Sequence, residues 1–259
     1  MKNDKDYDMN DLPFTLTFAP KSQTTTYFVI RPILTEDIIP LTQLTASVFC
    51  SSEPLMSSLN FTLEEVLPFM KIIVENNVEK GMGVVCCLRS TGEYASVLLC
   101  EDMYEPTDAR KKTCEISQGF EQKNAIMALA LDPCLKAVKE YYEKPDKIFQ
   151  TVNLKVAVTA PKFQGLGLMS KLVQFVVNEH PMTKLAKLFF TSASNKGSQT
   201  CFERAGFKTV YEIVYKNMNV KGEKPFEDME ENLKKKGLKP TDKFKFMVLH
   251  KSQGLLLSN

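Results

Sequence analysis

The sequence has 259 residues, 44% of them apolar and 25% charged, a composition that argues against general disorder. One large domain with a sizeable core is the first expectation for this length. A net charge of +2 gives no electrostatic reason to expect nucleic acid or an anionic membrane as a partner. The apolar runs are shorter than the roughly 18 residues that a membrane span needs, and the polar start of the chain predicts no secretory signal.

Residue types that bind metals or carry catalytic protons are scarce. The seven cysteines are odd in number, scattered and without a C-x-x-C pair, so we expect reduced thiols in a cytoplasmic protein. The two histidines, His180 and His250, lie near the ends of predicted elements. With so few partners, neither a metal site nor a Ser-His-Asp triad is expected.

The first half of the chain predicts an N-terminal extension over residues 1–26 and the start of one domain over residues 27–250. Helix starts are indicated by the acidic residues after Thr35 and by a capping box of Thr62 and Glu65. In chain order, the predicted elements are a strand at 27–31, helices beginning near 35 and 62, a hairpin of strands at 84–88 and 94–99, and a crossover at 102–150 whose helix is interrupted at Pro133.

The second half alternates strands and helices. Its predicted elements are a strand at 152–158, a helix from 168 to about 180, a strand at 187–191, a helix at 194–204 closed by Gly206, a strand at 210–214, a helix at 225–237 and a strand at 244–249. This alternation, with hairpins early and late, predicts an α/β fold with a mixed sheet covered by helices.

The segment from 156 to 170 is the most informative of the chain. An apolar strand stops at Pro161, a short loop carries Gly165 and Gly167, and a helical pattern begins at Leu168. The first N–H groups of a helix have no partner within it, and the helix dipole there favours negative charge. Because glycines let the backbone approach an anion closely, a phosphate-bearing ligand is predicted at this loop.

Two common phosphate-binding motifs are excluded. A dinucleotide fingerprint requires a third glycine where Ser170 stands, and a P-loop requires Gly-Lys-Ser/Thr after its glycines. The pattern V-x-V-x-x-P-x-x-Q-G-x-G-x-x-x-x-L, which ends at Leu172, instead resembles the acyl-CoA pyrophosphate loop of the GCN5-related N-acetyltransferases. That resemblance implies their fold, with a mixed and mostly antiparallel sheet of about seven strands flanked by helices.

The same resemblance implies acetyl-CoA as co-substrate, without a metal. Backbone amides of residues 164–169 would hold the pyrophosphate, and the edge of the preceding strand would pair with the pantetheine amides, while a backbone N–H such as that of Val158 stabilises the oxyanion. The cofactor-binding residues implied in this way are Val156, Ala157, Val158, Gln164, Gly165, Leu166, Gly167, Leu168, Met169, Asn195 and Phe202.

A second signature follows the strand at 187–191. Asn195, Ser198, Phe202 and the Gly206-Phe207 pair keep the spacing of these acetyltransferases. The common family member has tyrosine where Phe202 stands, and that hydroxyl usually protonates the departing thiolate. Another group must therefore protonate the thiolate here, or it leaves as the anion.

A third signature narrows the resemblance. The segment Cys50-Ser51-Ser52-Glu53-Pro54-Leu55 is similar to the Glu-Pro-Leu segment of arylalkylamine N-acetyltransferases of the insect dopamine type, and the pair Ser194 and Ser198 matches theirs. The resemblance implies that Glu53 is the catalytic base and that the two serines line the site. An alkylammonium needs such a base, because it is a poor nucleophile until it loses a proton.

Each assignment has a structural alternative. Glu53 can be a helix-start residue, Ser194 the N-cap of the next helix, Ser198 a small packing residue, and the lysines at 234–236 a solvated helix end.

The predicted function is acyl transfer from acetyl-CoA to a small primary amine, directly within a ternary complex. Two alternatives remain open: an N-acyltransferase for proteins, peptides or amino acids, and a non-catalytic module that keeps the fold for binding. A monomer or weak dimer is expected, with no nucleic acid, membrane or metal partner.

Overall fold

The computed structural model describes residues 15–20, 26–103, 116–138, 151–184 and 186–251. Within them, eight strands form one sheet in the order β1-β2-β3-β4-β5-β6-β8-β7. All neighbours pair antiparallel except β5 and β6, which are parallel. The strands are β1 (Leu16–Phe18), β2 (Phe28–Pro32), β3 (Val84–Leu88), β4 (Tyr94–Asp102), β5 (Thr151–Thr159), β6 (Leu188–Ala193), β7 (Lys208–Val214) and β8 (Lys243–His250).

The predicted mixed, mostly antiparallel sheet is thus confirmed, with one strand more than expected. The additional strand is β1, which lies in the segment assigned to an N-terminal extension and pairs with β2. Three residues are too few to show the period-2 pattern by which a strand is recognised in a sequence.

Seven helices flank the sheet in the described ranges, and none of them is long and apolar enough to cross a membrane. They are α1 (Ile38–Ser52), α2 (Pro54–Ser58), α3 (Leu63–Lys80), α4 (Gln118–Val138), α5 (Leu168–Asn178), α6 (Lys196–Arg204) and α7 (Met229–Lys235).

Three helix predictions need correction. The helix α4 runs through Pro133 without interruption, and because Pro133 is exposed, water can satisfy the carbonyl that its ring frees. The helix predicted from Pro225 begins only at Met229, after a series of turns. The helix α6 begins at Lys196 rather than at 194, since Asn195 is its N-cap.

Two apolar clusters cover the two faces of the sheet. Helices α1, α2, α3, α4 and α7 pack on one face, with Met70 among the buried residues, and α5 and α6 pack on the other, with Leu172. Successive strand residues alternate between the clusters, so that Phe189 belongs to the α5 side and Phe190 to the α1 side. Both helix layers are therefore held by one shared sheet.

Candidate active site

Strands β5 and β6 separate along their length. Their parallel pairing joins residues 151–153 to residues 188–190. Beyond these residues β5 continues to pair with β4, and β6 continues to pair with β8. Thr191 Oγ1 donates a 3.0 Å hydrogen bond to the Leu154 carbonyl at the point of separation. The two edges beyond that point face each other across an opening in the sheet.

A β-bulge at Lys155 marks the same place. Leu99 pairs with Val156 and Cys100 with Leu154, which leaves Lys155 as the extra residue of β5. Because of this insertion, Leu154 packs in the α5 cluster whereas Val156 packs in the α1 cluster. Bulges commonly re-aim a side chain beside a functional site, and here the Lys155 side chain lines a pocket.

The backbone groups of successive residues in β5 point alternately toward β4 and toward the opening. Just past β5, the Ala160 N–H donates to the Ala95 carbonyl at 2.9 Å. Alternate residues of an antiparallel strand direct their backbone groups to the same neighbour, so those of Val158 also face β4. Ala157 and Thr159 direct theirs into the opening. The oxyanion role predicted for the Val158 N–H therefore needs correction, because the N–H that faces the opening is that of Ala157.

The pocket lies where the strands separate. Its walls come from the end of α1, the bulged part of β5, the end of β6 and the first turns of α6. Six predicted site residues line it together: Glu53, Ala157, Ser194, Asn195, Ser198 and Phe202. The other lining residues are Val48, Phe49, Ser52, Leu154, Lys155, Thr191 and Ser192. Val156 and Val158, by contrast, are buried in the core on the α1 side.

Glu53 occupies the joint between two helices. It is the C-cap of α1 and the N-cap of α2, where its Oε2 accepts the Met56 N–H at 2.6 Å. Burial raises the pKa of this carboxyl group, while hydrogen bonds from the Met56 N–H, the Ser194 hydroxyl and the Leu55 N–H partly offset the rise. A carboxylate with a raised pKa inside a pocket suits the task of a general base. Glu53 is therefore both the N-cap of α2 and a lining residue of the pocket.

Ser194 and Ser198 have different hydrogen-bond partners. Ser194 precedes α6, and its carbonyl accepts a hydrogen bond from the Tyr215 hydroxyl. Asn195 is the N-cap of α6, with its Oδ1 accepting the Ser198 N–H at 2.9 Å. The Ser198 hydroxyl donates to the Asn195 carbonyl at 2.9 Å. The alternative of Ser194 as the N-cap is therefore excluded, and Ser198 both closes the cap and lines the pocket.

The predicted phosphate loop follows β5 directly. After a 3₁₀ turn at Pro161–Phe163, Gly165 and Gly167 take φ values of 82° and 77°, which non-glycine residues seldom adopt. Gly167 is the N-cap of α5 and provides no side-chain cap. The first backbone bond of the helix runs from the Lys171 N–H to the Gly167 carbonyl at 3.2 Å, so the preceding N–H groups belong to the unpaired first turn.

Space around the loop suits a bulky anion. A Cβ atom added to Gly165 or Gly167 would meet no heavy atom within 4 Å. The residues on either side anchor the loop, since Phe163 and Leu168 are both buried in the α5 cluster. A rigid loop with outward N–H groups and open space in front can hold a pyrophosphate.

Phe202 lies at the wall between the pocket and the α5 cluster. Its side chain is only 1% exposed, and its ring meets the Phe207 ring edge-on with centroids 5.2 Å apart. It has no proton to give to a leaving thiolate. Within the described residues, no group of three or more His, Cys, Asp or Glu side chains is arranged to hold a metal ion.

The sequence analysis gave no site role to three residues that contact the pocket or its supporting elements. Lys155 is the one cationic side chain among the described residues of the pocket lining, and its Nζ lies 2.9 and 3.0 Å from the two oxygens of Glu101. Tyr215 bonds to Ser194, and Lys236 reaches back to α2. No local signal marks any of them, because each acts through a partner from a distant part of the chain.

Comparison with known proteins identifies the fold of the chain. No protein-family model matches the chain, and no curated protein does. Solved structures resemble it at low identity. The C-terminal condensation domain of Ebony, solved with beta-alanyl-dopamine, is 14% identical with a TM-score of 0.69, over 86% of this chain and 99% of that one.

Two acetyltransferase structures give similar values. Arylalkylamine N-acetyltransferase 2 of Aedes aegypti is 19% identical with a TM-score of 0.64, over 86% of this chain and 98% of that one. The polyamine N-acetyltransferase of Drosophila melanogaster is 15% identical with a TM-score of 0.59, over 86% of this chain and 100% of that one. The chain therefore has the fold of the GCN5-related N-acetyltransferases, as its sequence predicted.

Proposed function

We propose that this protein is an acyl-CoA-dependent N-acyltransferase that moves an acetyl group from acetyl-CoA to a small primary amine, with Glu53 as general base. One observation carries the proposal: the Glu53 carboxylate lies in the pocket where β5 and β6 separate, at the end of the strand edge that leads from the phosphate loop. Residues 27–250 would form the catalytic domain, to which β1 adds a strand.

Acetyl-CoA would bind along this edge of β5, with the phosphate loop at one end and the pocket at the other. The pyrophosphate would lie on the first turn of α5, over Gly165 and Gly167. The pantetheine arm would then run beside β5, where the backbone groups of Ala157 and Thr159 are directed into the opening. An extended chain with amide groups can bond to such an edge as a further strand would. The thioester would then lie beside the pocket.

The reaction in the pocket begins with proton transfer. The ammonium group of the substrate gives a proton to the Glu53 carboxylate, and the free amine attacks the thioester carbonyl carbon. The carbonyl oxygen gains negative charge, which the Ala157 N–H is placed to stabilise. The nitrogen, positively charged after the attack, gives its extra proton to water, and the C–S bond breaks with its electron pair leaving on sulfur, so no covalent enzyme intermediate forms.

The charges of the pocket favour a cationic acceptor. Among the residues that the structure describes, its lining carries one carboxylate, Glu53, and one ammonium, Lys155. Lys155 is already paired with Glu101, whose side chain is only 5% exposed. Counting Glu101 with these described lining residues gives an excess of one negative charge. A protonated amine is therefore attracted to the pocket, whereas an acceptor with a carboxylate beside its amine gains less.

The CoA thiolate would leave without receiving a proton from a tyrosine. Phe202 lies where the family's usual proton donor stands, and a thiol is acidic enough to depart as the anion before water protonates it. The ammonium group of Lys155 lines the same pocket and would offset part of the thiolate charge.

A thiol-release assay tests the proposal. The purified protein is incubated with acetyl-CoA or a longer acyl-CoA and with a panel of arylalkylamines, polyamines, amino acids and peptides. We expect turnover with at least one small amine and little with peptides. Preference for peptides or amino acids would favour the alternative acceptors. Tight binding of acetyl-CoA without turnover on any acceptor would favour a non-catalytic module.

The proposal also covers the binding partners and the cellular compartment of the protein. We propose a cytoplasmic enzyme that works as a monomer or weak dimer, without a metal and without nucleic acid or membrane as partner.

A further inference from the structure

The chain segment after β7 contacts both supports of Glu53. This return segment, defined as residues 215–236, begins with a 3₁₀ turn at Tyr215–Asn217 and ends just past α7. Its first residue bonds to Ser194, and its last bonds to α2. Neither Tyr215 nor Lys236 lines the pocket.

Tyr215 holds the Ser194 side of the carboxylate. Its side chain is 1% exposed, and its ring lies 6.4 Å from that of Phe226, centroid to centroid. The hydroxyl donates a 2.5 Å hydrogen bond to the Ser194 carbonyl. Burial, and then the charge of Glu53, raise the pKa of this phenol well above its usual value, so it remains a donor. Tyr215 thereby fixes the backbone that carries the Ser194 hydroxyl.

Lys236 holds the α2 side. Its Nζ donates to the carbonyl and to the hydroxyl of Ser57, at 2.8 Å each. Ser57 is 2% exposed and lies in the last turn of α2, whose N-cap is Glu53. A cation at the carbonyl end of a helix is favourable for the helix dipole. Lys236 is exposed at the end of α7, as predicted, but its ammonium group also bonds to Ser57.

A second contact joins the same two helices. The Ser58 hydroxyl donates to Met229 Sδ at 2.9 Å, so α7 is docked on α2 at two points. Helix α2 has only five residues and cannot hold its own orientation by backbone bonds alone. The direction of the Met56 N–H, which bonds to Glu53, thus depends on contacts made by the return segment.

We propose that Tyr215 and Lys236 are positioning residues that orient the Glu53 carboxylate, Tyr215 through Ser194 and Lys236 through α2. The inference rests on the proposed function, in which Glu53 is the base. The Met56 N–H donates to this carboxylate at 2.6 Å, and Ser194 lines the same pocket, where its hydroxyl lowers the pKa of Glu53. The return segment bonds to the Ser194 carbonyl once and to the last two residues of α2 three times, all through half-buried hydrogen bonds. Lys155, the other charged group of the pocket, is paired with Glu101 and does not replace either support.

A double-mutant cycle tests this role. Tyr215→Phe and Lys236→Met are each made in the wild type and in the Glu53→Gln background. In the wild type we expect kcat to fall roughly 10- to 100-fold, the cost of a misplaced catalytic group, with unchanged affinity for acetyl-CoA. In the Glu53→Gln background neither change should lower kcat further. Equal losses in both backgrounds would overturn the proposal, and Lys236→Arg should restore most of the activity.

Matched controls separate positioning from general stability. Tyr94→Phe removes another tyrosine hydroxyl that donates a hydrogen bond, in this case to the Asp37 carboxylate at 2.6 Å. Lys235→Met removes the neighbouring lysine, which pairs on the surface with Glu231. Both controls should keep the wild-type kcat even where they lower the free energy of unfolding. A control that loses as much kcat as its partner variant contradicts the proposal.

One further measurement does not need turnover. A ¹³C NMR titration of the Glu53 carboxyl reports its pKa directly. In Tyr215→Phe and Lys236→Met this pKa should move upward from the wild-type value, because the hydrogen bonds that lower it lose their geometry. An unmoved pKa refutes the positioning role whatever the activity. If the pKa moves but the wild type acetylates no amine, the proposed function fails while the positioning role stands.

Discussion

Glu53 accepts the Met56 N–H at 2.6 Å and is therefore the N-cap of α2 as well as the carboxylate of the pocket. The two roles oppose each other. A cap favours an ionised, well-hydrogen-bonded carboxylate, whereas burial raises the pKa of the group and disfavours its charge. The cap thus holds a destabilised carboxylate in one orientation, which is what a general base needs.

Removing the carboxylate should abolish most activity. Glu53→Gln preserves size and deletes proton acceptance, so kcat/KM for an amine should fall by about 10²- to 10⁴-fold. The deficit should shrink at high pH, where free amine forms without the enzyme. Acetyl-CoA affinity should persist, because the phosphate loop lies elsewhere. Glu212→Gln, at a surface glutamate paired with Lys243, is the control and should remain active. Near-normal activity of Glu53→Gln would make Glu53 structural only.

Glu53→Gln should stabilise the folded protein although it removes activity. Since its folded pKa is raised above 4.5, Glu53 contributes stability that is present below pH 4.5 and lost as pH rises through the folded pKa. Relative to the wild type, Glu53→Gln should therefore gain stability between pH 4 and pH 7 in urea unfolding. Glu203→Gln is a control of opposite sign, because the hydrogen bond from Lys245 lowers the pKa of Glu203. A pH-independent difference for Glu53→Gln would contradict the burial of its charge.

The phosphate loop is tested with a matched pair of substitutions. Gly167→Asp and Gly167→Asn impose the same cost of a φ of 77° and meet the same open space, but only aspartate adds a charge. Calorimetry should show acetyl-CoA affinity falling on the order of 100-fold more for Gly167→Asp than for Gly167→Asn. Equal affinities of the two folded variants would place the pyrophosphate elsewhere.

The local parts of the site could be predicted from the sequence. Gly165 and Gly167 are required by their own φ values, and α5 starts at the residue where its periodicity starts. The capping box of Thr62 and Glu65 is also local, with bonds of 3.3 and 2.8 Å between the two residues. Such features depend on residues a few positions apart, so their signal is present in the sequence itself.

The parts that depend on distant partners could not be predicted. The bulge at Lys155 exists only with respect to the register of β4, and it decides that Ala157 rather than Val158 faces the opening. Lys236 is exposed at the end of α7 as predicted, but nothing near it in the sequence indicates that Ser57 lies within reach of its Nζ. Tertiary contacts of this kind are absent from any local pattern.

Phe202 should matter for packing and not for chemistry. Phe202→Leu leaves space at the wall of the pocket, so it should cost about 1 to 2 kcal/mol of unfolding free energy and weaken acetyl-CoA binding. The value of kcat at saturation should be unchanged. Phe207→Leu is the control, since Phe207 is 3% exposed and packs against Phe202 without lining the pocket. It should lose similar stability and keep its acetyl-CoA affinity. A loss of kcat in Phe202→Leu alone would assign a catalytic role to this ring.

His180 should make the fold sensitive to acid. Its side chain is fully buried beside Phe175, and burial lowers its pKa to about 4. The unfolded chain takes up the proton near pH 6.5, so stability is complete above that pH and is lost as pH falls toward 4. The shift corresponds to about 3 kcal/mol, most of it lost by pH 4.5. His180→Leu keeps an apolar side chain without the titration, and the difference between variant and wild type in urea unfolding should move in favour of the variant by that amount between pH 7 and pH 4.5. A parallel pH dependence of the two proteins would show that His180 is charged within the fold.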